Sequence, residues 1–221
     1  LTDVRGRRMA VSSDVTAVIL AGGQSRRLGR DKAVEIVGKH PLIYRVLDSL
    51  ASMVLDSVVV VADAQRGAGL FLPEWVKLAV DIYPGSGSLG GIYTGIATAN
   101  QQWSIVVACD MPFLNLSLMD YMLSLRDGYD AVVPVLDERP EPTHAIYSKA
   151  CLAHIEPRLK RGDLKISGFF DMVRVRYVPE VEVNEIDPNH LSFFNINTQG
   201  DLDRATSLDR EITLARDREK R

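Results

Sequence analysis

Short runs rich in β-branched residues recur along this chain: VTAVIL (Val15 to Leu20), SVVVVA (Ser57 to Ala62), VKLAVD (Val76 to Asp81), SIVVAC (Ser104 to Cys109) and DAVVPV (Asp130 to Val135). Runs that stay apolar at successive positions suit strands buried on both faces, the condition of a parallel sheet. Segments with helical spacing lie between them. Pro41 opens LIYRVLDSLASMV, in which Leu42, Val46, Leu50 and Val54 recur every turn. A second helix is expected from about Leu89 to Ala99, and a third near Ser117, with Asn115 or Ser117 as its cap. This alternation predicts an α/β fold, a three-layer αβα, Rossmann-like and mostly parallel sheet. Ligands of such sheets bind beyond the carboxyl ends of the strands, so the loops after Leu20, Asp81 and Cys109 are the ones to inspect.

Farther along, LDERPEPT (Leu136 to Thr143) reads as a polar, proline-rich excursion over the end of the sheet, after which HAIYSK resumes an apolar pattern. Residues 149 to 172 look helical, RVRYV (Arg174 to Val178) reads as a late strand, and Thr198 with Asp201 forms a capping-box pattern for a last helix. The expected organisation is a flexible N-terminal extension over 1–14, one domain over 15–208 and a charged tail over 209–221 that frays or stays solvated. With 221 residues, 46% of them hydrophobic and 25% charged, a single self-sufficient core is expected.

A net charge of −3 argues against the basic face that nucleic-acid binding requires. Cys109 and Cys151 stand apart, and His40, His144, His154 and His190 show no metal-ligand spacing with them, so neither a zinc site nor a disulfide is expected. LTDVRGRRMAVSSD lacks the apolar centre of a signal peptide, and no stretch approaches the roughly 20 apolar residues of a membrane span. The expectation is a cytoplasmic protein with neither membrane nor nucleic acid as a partner.

The chemistry concentrates in LAGGQSRRLGRDK (Leu20 to Lys32). Two glycines directly after a buried strand allow backbone N–H groups to approach phosphate oxygens, and Arg26, Arg27, Arg30 and Lys32 crowd cations beside that turn. A polyanion is the natural ligand, against the alternative of a solvated basic loop. Gly29 is followed by Arg30 rather than by Lys and Ser or Thr, so this is not a Walker A loop. GSGSLG (Gly85 to Gly90) matches the dinucleotide fingerprint, with Asp110 about twenty residues on, but it follows the third strand rather than the first. Asp110 stands just past SIVVAC, where Pro112 forces the chain out of the sheet. Its carboxylate can hold magnesium in the crevice or cap the following turn.

The first of these segments resembles the LxGGxSxRxGxDK signature of the molybdenum cofactor guanylyltransferases (MobA type), within the nucleotidyltransferases, and SLGG (Ser88 to Gly91), CDMP (Cys109 to Pro112) and FFNINT (Phe193 to Thr198) follow in that family's order. The resemblance implies transfer of GMP from GTP to molybdopterin, release of pyrophosphate, a requirement for Mg2+, and a molybdoenzyme or cofactor-delivery protein as recipient. By matching positions it implies that Leu20, Ala21, Gly22, Gly23, Lys32 and Asp81 contact the nucleotide and that Asp110 holds the metal, with Arg27, Lys32 and Asp110 as the catalytic group. The turn of the CMP-transferring relatives reads LAAG, so Gly22-Gly23 leans toward guanine. Val61 stands where the family often has Asn, Ser88 where it has Pro, and Gln199-Gly200 where it has Pro-Glu. His144 is expected to bind the acceptor or to pack. Asn195 and Asn197, two apart and pointing to one face, either bond the pterin or organise their turn. Two other classes stay open, a nicotinamide oxidoreductase built on Gly85 to Gly90 and a non-catalytic nucleotide sensor.

Overall fold

Strand β1 (Ser12–Leu20) takes the middle of the sheet because its residues are buried on both faces from Val15 to Ile19. The structure, a computed structural model, describes residues 12–22 and 32–219. After β1 come the hairpin strands β2 (Ile36–Val37) and β3 (His40–Pro41), then α1 (Leu42–Leu50), β4 (Val54–Val61), α2 (Ala64–Ala68), β5 (Val76–Val80), α3 (Gly87–Thr98), β6 (Trp103–Ala108) and α4 (Leu116–Ser124). The second half adds β7 (Ala131–Leu136), β8 (Arg139–Pro140), β9 (His144–Ser148), α5 (Leu152–Arg161), β10 (Val175–Val178), α6 (Glu180–Asn184) and α7 (Gln199–Glu219). Among these elements the main sheet has the order β10-β7-β9-β6-β1-β4-β5, with β8 paired on β7. β1 is parallel to β4 and β6, β4 to β5, and β10 to β7, whereas β9 runs antiparallel between β6 and β7.

Alternate residues of each strand feed opposite layers. From β1, Ala17 and Ile19 pack with Ile43, Val46 and Leu47 of α1 and with Leu118 and Met122 of α4. Val18 points the other way, onto Leu89, Ile92 and Ile96 of α3 and into the same core as Ile155 of α5. The result is the three-layer αβα arrangement that the strand runs predict. A smaller cluster of Val37, Leu42, Ile196, Leu202 and Ala205 seats α7 against the β2-β3 hairpin. No described helix is long and apolar enough to cross a membrane.

Local chemistry sets several boundaries away from those the sequence suggests. Met53 N–H bonds the Leu50 carbonyl at 2.8 Å and closes α1, so Val54 begins β4 instead of a further helical turn. β5 is an edge strand whose Leu78 and Val80 are exposed, not buried on both faces. The helical stretch expected over 149 to 172 is interrupted. Gly162, at φ 74, caps α5, and a 3-10 segment Ile166–Met172 follows a loop. The proline-rich excursion contains the β7-β8 hairpin, turned by Asp137 and Glu138 at φ 47 and φ 61. Thr198 and Asp201 do exchange capping bonds, the Thr198 N–H to Asp201 Oδ2 at 2.8 Å and the Asp201 N–H to Thr198 Oγ1 at 3.2 Å.

The two ends of the expected domain also differ. Ser12, Ser13 and Asp14 belong to β1, and Asp14 pairs with Arg126 at 2.6 Å. α7 continues past Leu208, because Asp209 reaches Arg45 at 2.7 Å and sits over Gly38, whose φ of 66 turns the β2-β3 hairpin. Arg45 in turn donates to the Val37 carbonyl at 3.1 Å. The charged residue after the expected boundary thus ties the last helix to the segment that follows the first loop.

Close approach of α3 to β1 depends on Gly95, where any β-carbon would overlap Val18 Cγ1. Gly95→Val is expected to lower unfolding free energy in urea by about 2–3 kcal/mol through overpacking. Gly200→Ala, whose new methyl would meet only Thr198 Oγ1 at 3.7 Å, is expected to be neutral or slightly stabilising in the same measurement.

Candidate functional site

The carboxyl ends of β1, β4 and β5 meet the start of α3 around a cleft of about 420 Å³ lined by Leu20, Gly22, Val61, Asp81, Ser88 and Gly91. Main-chain bonds fix its rim. Ala21 N–H donates to the Val60 carbonyl at 2.8 Å, Asp81 N–H to the Val61 carbonyl at 2.8 Å, and Cys109 N–H to the Leu20 carbonyl at 3.1 Å. The sheet is therefore hydrogen-bonded right up to the point where the chain turns outward.

Gly22 and Gly91 keep the cleft open. A β-carbon on Gly22 would sit 3.2 Å from the Ala62 amide nitrogen, and one on Gly91 3.2 Å from Leu20 Cδ2. Gly85 and Gly87, at φ 84 and φ 60, turn the chain from β5 into α3, a conformation that favours glycine. Asp81 accepts from Tyr83 N–H at 2.9 Å and Thr94 Oγ1 at 3.0 Å, and its second oxygen lies over Gly90. Burial raises the Asp81 pKa, and the bonds from Tyr83 and Thr94 partly offset that rise. The carboxylate is held facing the cleft by bonds to a residue, Thr94, that no sequence motif indicates.

Beside this cleft Lys32 reaches Asp110 Oδ2 at 2.9 Å and Asn197 Oδ1 at 2.6 Å. Three separate stretches of chain converge there. Asp110 is placed by the end of β6, and its carbonyl accepts from Ile196 N–H at 3.0 Å. Ile196 is buried, which holds the two flanking asparagines in place without a strand. Asn197 N–H is capped by Asp201 at 2.9 Å, whereas Asn195 Nδ2 turns back to the Phe193 carbonyl at 3.2 Å. Of the two roles left open for the pair, Asn195 organises its turn and Asn197 joins the charged cluster.

The remaining expectations fare differently. Leu20 and Gly22 line the cleft, but Ala21 does not. Its methyl is in the core and its N–H is committed to the sheet, leaving only its carbonyl side free of these contacts. Gly23 and Arg27 lie outside the described residues, as do Arg26 and Arg30. Val61 packs fully into the core, so that position offers the cleft no polar side-chain group. Arg66 of α2 approaches the Gly22 carbonyl at 3.4 Å and brings a cation that the sequence reading omits. His144 is wholly buried, tilted against the Phe193 ring with centres 4.5 Å apart, and neither ring nitrogen has a hydrogen-bond partner. Of the two roles left open for it, the enclosed ring favours packing.

A second cleft of about 460 Å³ adjoins the first through Gly85, Gly87 and Ser88 and is closed on its far side by Pro140, Pro142 and Lys165. Lys165 follows the Gly162 cap on a loop that Arg158 pins through Asp163 at 2.5 Å. A lone lysine in such a loop carries no sequence signal. Glu141, between the two prolines, is half-buried, and desolvation raises its pKa.

Two adjoining clefts at the carboxyl edge of a mainly parallel sheet, with a glycine turn on one wall, define a nucleotide-binding α/β enzyme domain. The model of the MobA-like NTP transferase domain matches residues 17–175, and the chain belongs to that family of nucleotidyltransferases. A probable molybdenum cofactor guanylyltransferase of Pelotomaculum thermopropionicum is 37% identical over 190 residues, which cover 86% of this chain and 91% of that protein. The molybdenum cofactor guanylyltransferase of Desulfosudis oleivorans is also 37% identical, over 86% of this chain and 94% of its own. The crystal structure of molybdopterin-guanine dinucleotide biosynthesis protein A from Archaeoglobus fulgidus superimposes with a TM-score of 0.78 at 28% identity, covering 89% of this chain and 99% of that one. The oxidoreductase reading of Gly85 to Gly90 falls with this assignment. Its glycines follow the edge strand β5, not the first strand that a dinucleotide fold uses.

Burial pushes the His144 imidazole pKa down to about 3 from the ordinary 6.5. A depressed histidine pKa means that the unfolded chain binds the proton more readily, so stability falls as pH drops below 6.5 and the loss continues toward 3. The slope from this one group is at most about 1.4 kcal/mol per pH unit. His144→Phe is expected to remove that share of the slope in chemical denaturation between pH 6.5 and the acid limit of folding. An unchanged slope would mean that the imidazole is not buried neutral.

Proposed function

We propose that this nucleotidyltransferase moves GMP from GTP to molybdopterin, releasing pyrophosphate and forming a guanine dinucleotide cofactor. The observation that carries the reading is the Gly22 wall of the first cleft beside the Lys32, Asp110 and Asn197 cluster, in a chain 37% identical to molybdenum cofactor guanylyltransferases. A base fits between Gly22, Val61 and Asp81, and the absence of a side chain at Gly22 leaves room for the larger purine ring. Val61 offers no polar contact, so base recognition falls to main-chain groups and Asp81. The triphosphate then lies toward Lys32, and Arg66 adds charge near the Gly22 carbonyl. Gly23 and Arg27 are assigned to the same phosphates on the family pattern.

The donor set at Asp110 suits Mg2+. Asp110 Oδ1 is buried without a hydrogen-bond partner, and Asn197 supplies a neutral oxygen nearby. Among the described residues no group of three or more His, Cys, Asp or Glu stands ready to hold a metal. One carboxylate completed by substrate phosphates and waters is how magnesium is commonly held. When bound there, the ion neutralises charge on the phosphoryl oxygens.

The acceptor is placed in the second cleft, where Lys165 can meet an anionic group and Pro140 and Pro142 offer flat apolar contact. A phosphate oxygen of molybdopterin attacks the α-phosphorus of GTP in line, and the bond to the bridging oxygen of pyrophosphate breaks. The attacking phosphate is already ionised near neutral pH. His144, buried and neutral, is not needed as a base, and the work of the chain is to position and neutralise. A molybdoenzyme or cofactor-delivery protein is the recipient that this product chemistry calls for.

Calorimetry with GTP, CTP and ATP in Mg2+ tests the base. GTP is expected to bind at least tenfold more tightly than the others, and equal or tighter binding of CTP would remove the guanine assignment. Gly22→Val should cost at least tenfold in nucleotide affinity while the protein stays folded. With GTP and molybdopterin, Asp110→Asn is expected to lower pyrophosphate release at least 100-fold with little change in Tm, and wild-type turnover at low Mg2+ would take Asp110 out of the chemistry.

A further inference from the structure

The ammonium of Lys32 occupies the place beside Asp110 that a metal ion would use. It lies 2.9 Å from Asp110 Oδ2 and 2.6 Å from Asn197 Oδ1, and both ends of the ion pair are shielded, with side-chain exposures of 15% and 18%. The backbones of Asp110 and Asn197 are fixed independently of Lys32. The first is fixed by β6 and the Ile196 N–H bond, the second by the Asp201 cap. Lys32 is the movable member, a charge on a flexible four-carbon stem that can be drawn elsewhere.

Two cations cannot share this pocket cheaply. A magnesium ion at its usual distance of about 2.1 Å from a carboxylate oxygen would stand within a few ångströms of the ammonium. At that separation, in a site partly shut off from water, their repulsion offsets much of what the one carboxylate contributes. A bound triphosphate reverses the balance, because it offers Lys32 a stronger anion and frees Asp110 Oδ2 and the Asn197 oxygen beside the already unpaired Asp110 Oδ1.

We propose that Lys32 is the resident counter-ion of Asp110 in the nucleotide-free protein and that its transfer to the triphosphate opens the metal site, so that metal loading depends on nucleotide. The proposal rests on the reading of Asp110 as the metal ligand and Lys32 as a phosphate contact. Lys32 thereby has two successive roles. Before nucleotide arrives it keeps a buried carboxylate paired and excludes free divalent ions, and afterwards it neutralises phosphate. Nucleotide and metal then bind with positive coupling that originates in the protein as well as in their direct attraction.

Electron paramagnetic resonance titration with Mn2+ tests this on the nucleotide-free full chain, without turnover. The wild type is expected to bind Mn2+ weakly. Lys32→Met and Lys32→Gln, checked for folding by circular dichroism, should each bind Mn2+ alone at least tenfold more tightly, and adding Asp110→Asn to either should abolish the gain. A non-reacting GTP analogue with a methylene group between the α- and β-phosphorus should tighten Mn2+ binding in the wild type by a larger factor than in Lys32→Met. If both lysine variants bind metal alone no better than the wild type, the counter-ion role is overturned. In that case Asp110→Asn separates the two readings. Loss of Mn2+ from the analogue complex keeps Asp110 as metal ligand, and retention of Mn2+ removes that reading as well.

Discussion

Everything at the active edge depends on β1 being hydrogen-bonded on both sides up to its last residue. β4 pairs parallel to it in unbroken register from Thr16 to Leu20 and β6 from Val15 to Leu20, and two further main-chain bonds, from Ala21 to Val60 and from Cys109 to Leu20, lock the strand ends together. A parallel sheet of this kind aims the ends of successive strands at one edge. Gly22, Val61, Asp81 and Asp110 are far apart in sequence but become neighbours there because each follows a strand of that set. The apolar alternation above and below β1 makes the register hard to shift, since a slip of one residue would exchange Val18 with Ile19 and turn each into the wrong layer.

The same constraint explains what the sequence reveals. Strand runs, the glycine turn and the aspartates past β5 and β6 are local patterns with a single structural outcome, and their places in the fold follow from them. What sequence alone leaves obscure is long-range. Nothing local says that β9 inserts antiparallel between β6 and β7, because an apolar HAIYS run pairs equally well in either direction. The role of His144 was open for the same reason. Its neighbour Phe193 is remote in sequence, and only the packing shows the ring enclosed. Asn195 and Asn197 read as equivalent because they are two apart, yet Ile196 between them goes into the core and the backbone sends one amide to its own turn and the other to Lys32. The run after Leu208 reads as a solvated tail because its charges have no local partners; most of its described residues are exposed, but Asp209 has a distant partner in Arg45.

Among the described residues, several acids at the active edge are already paired. Asp81 is held by Tyr83 and Thr94, Asp110 by Lys32, and Asp201 by the cap of α7. Such prior pairing lowers the reorganisation needed when a polyanion arrives, because the acids already point where they are used and only lysine or arginine stems must move. The two clefts differ in their walls, the first in glycine and main chain, the second in proline and Lys165.

The ties from Lys32 to Asn197 and from Arg45 to Asp209 bear on how the chain matures as it is made. A ribosome releases residues 32 to 45 long before residues 197 to 209, so a nascent chain can build the sheet around β1 while the segment carrying Lys32 still lacks its anchors. During that interval the Lys32 ammonium can find Asp110 but not yet Asn197. A chain cut short between Ala205 and Asp209 would keep the buried cluster of α7 yet lose the grip of Asp209 on the hairpin. The last helix to be made thus closes contacts that the early hairpin has to wait for.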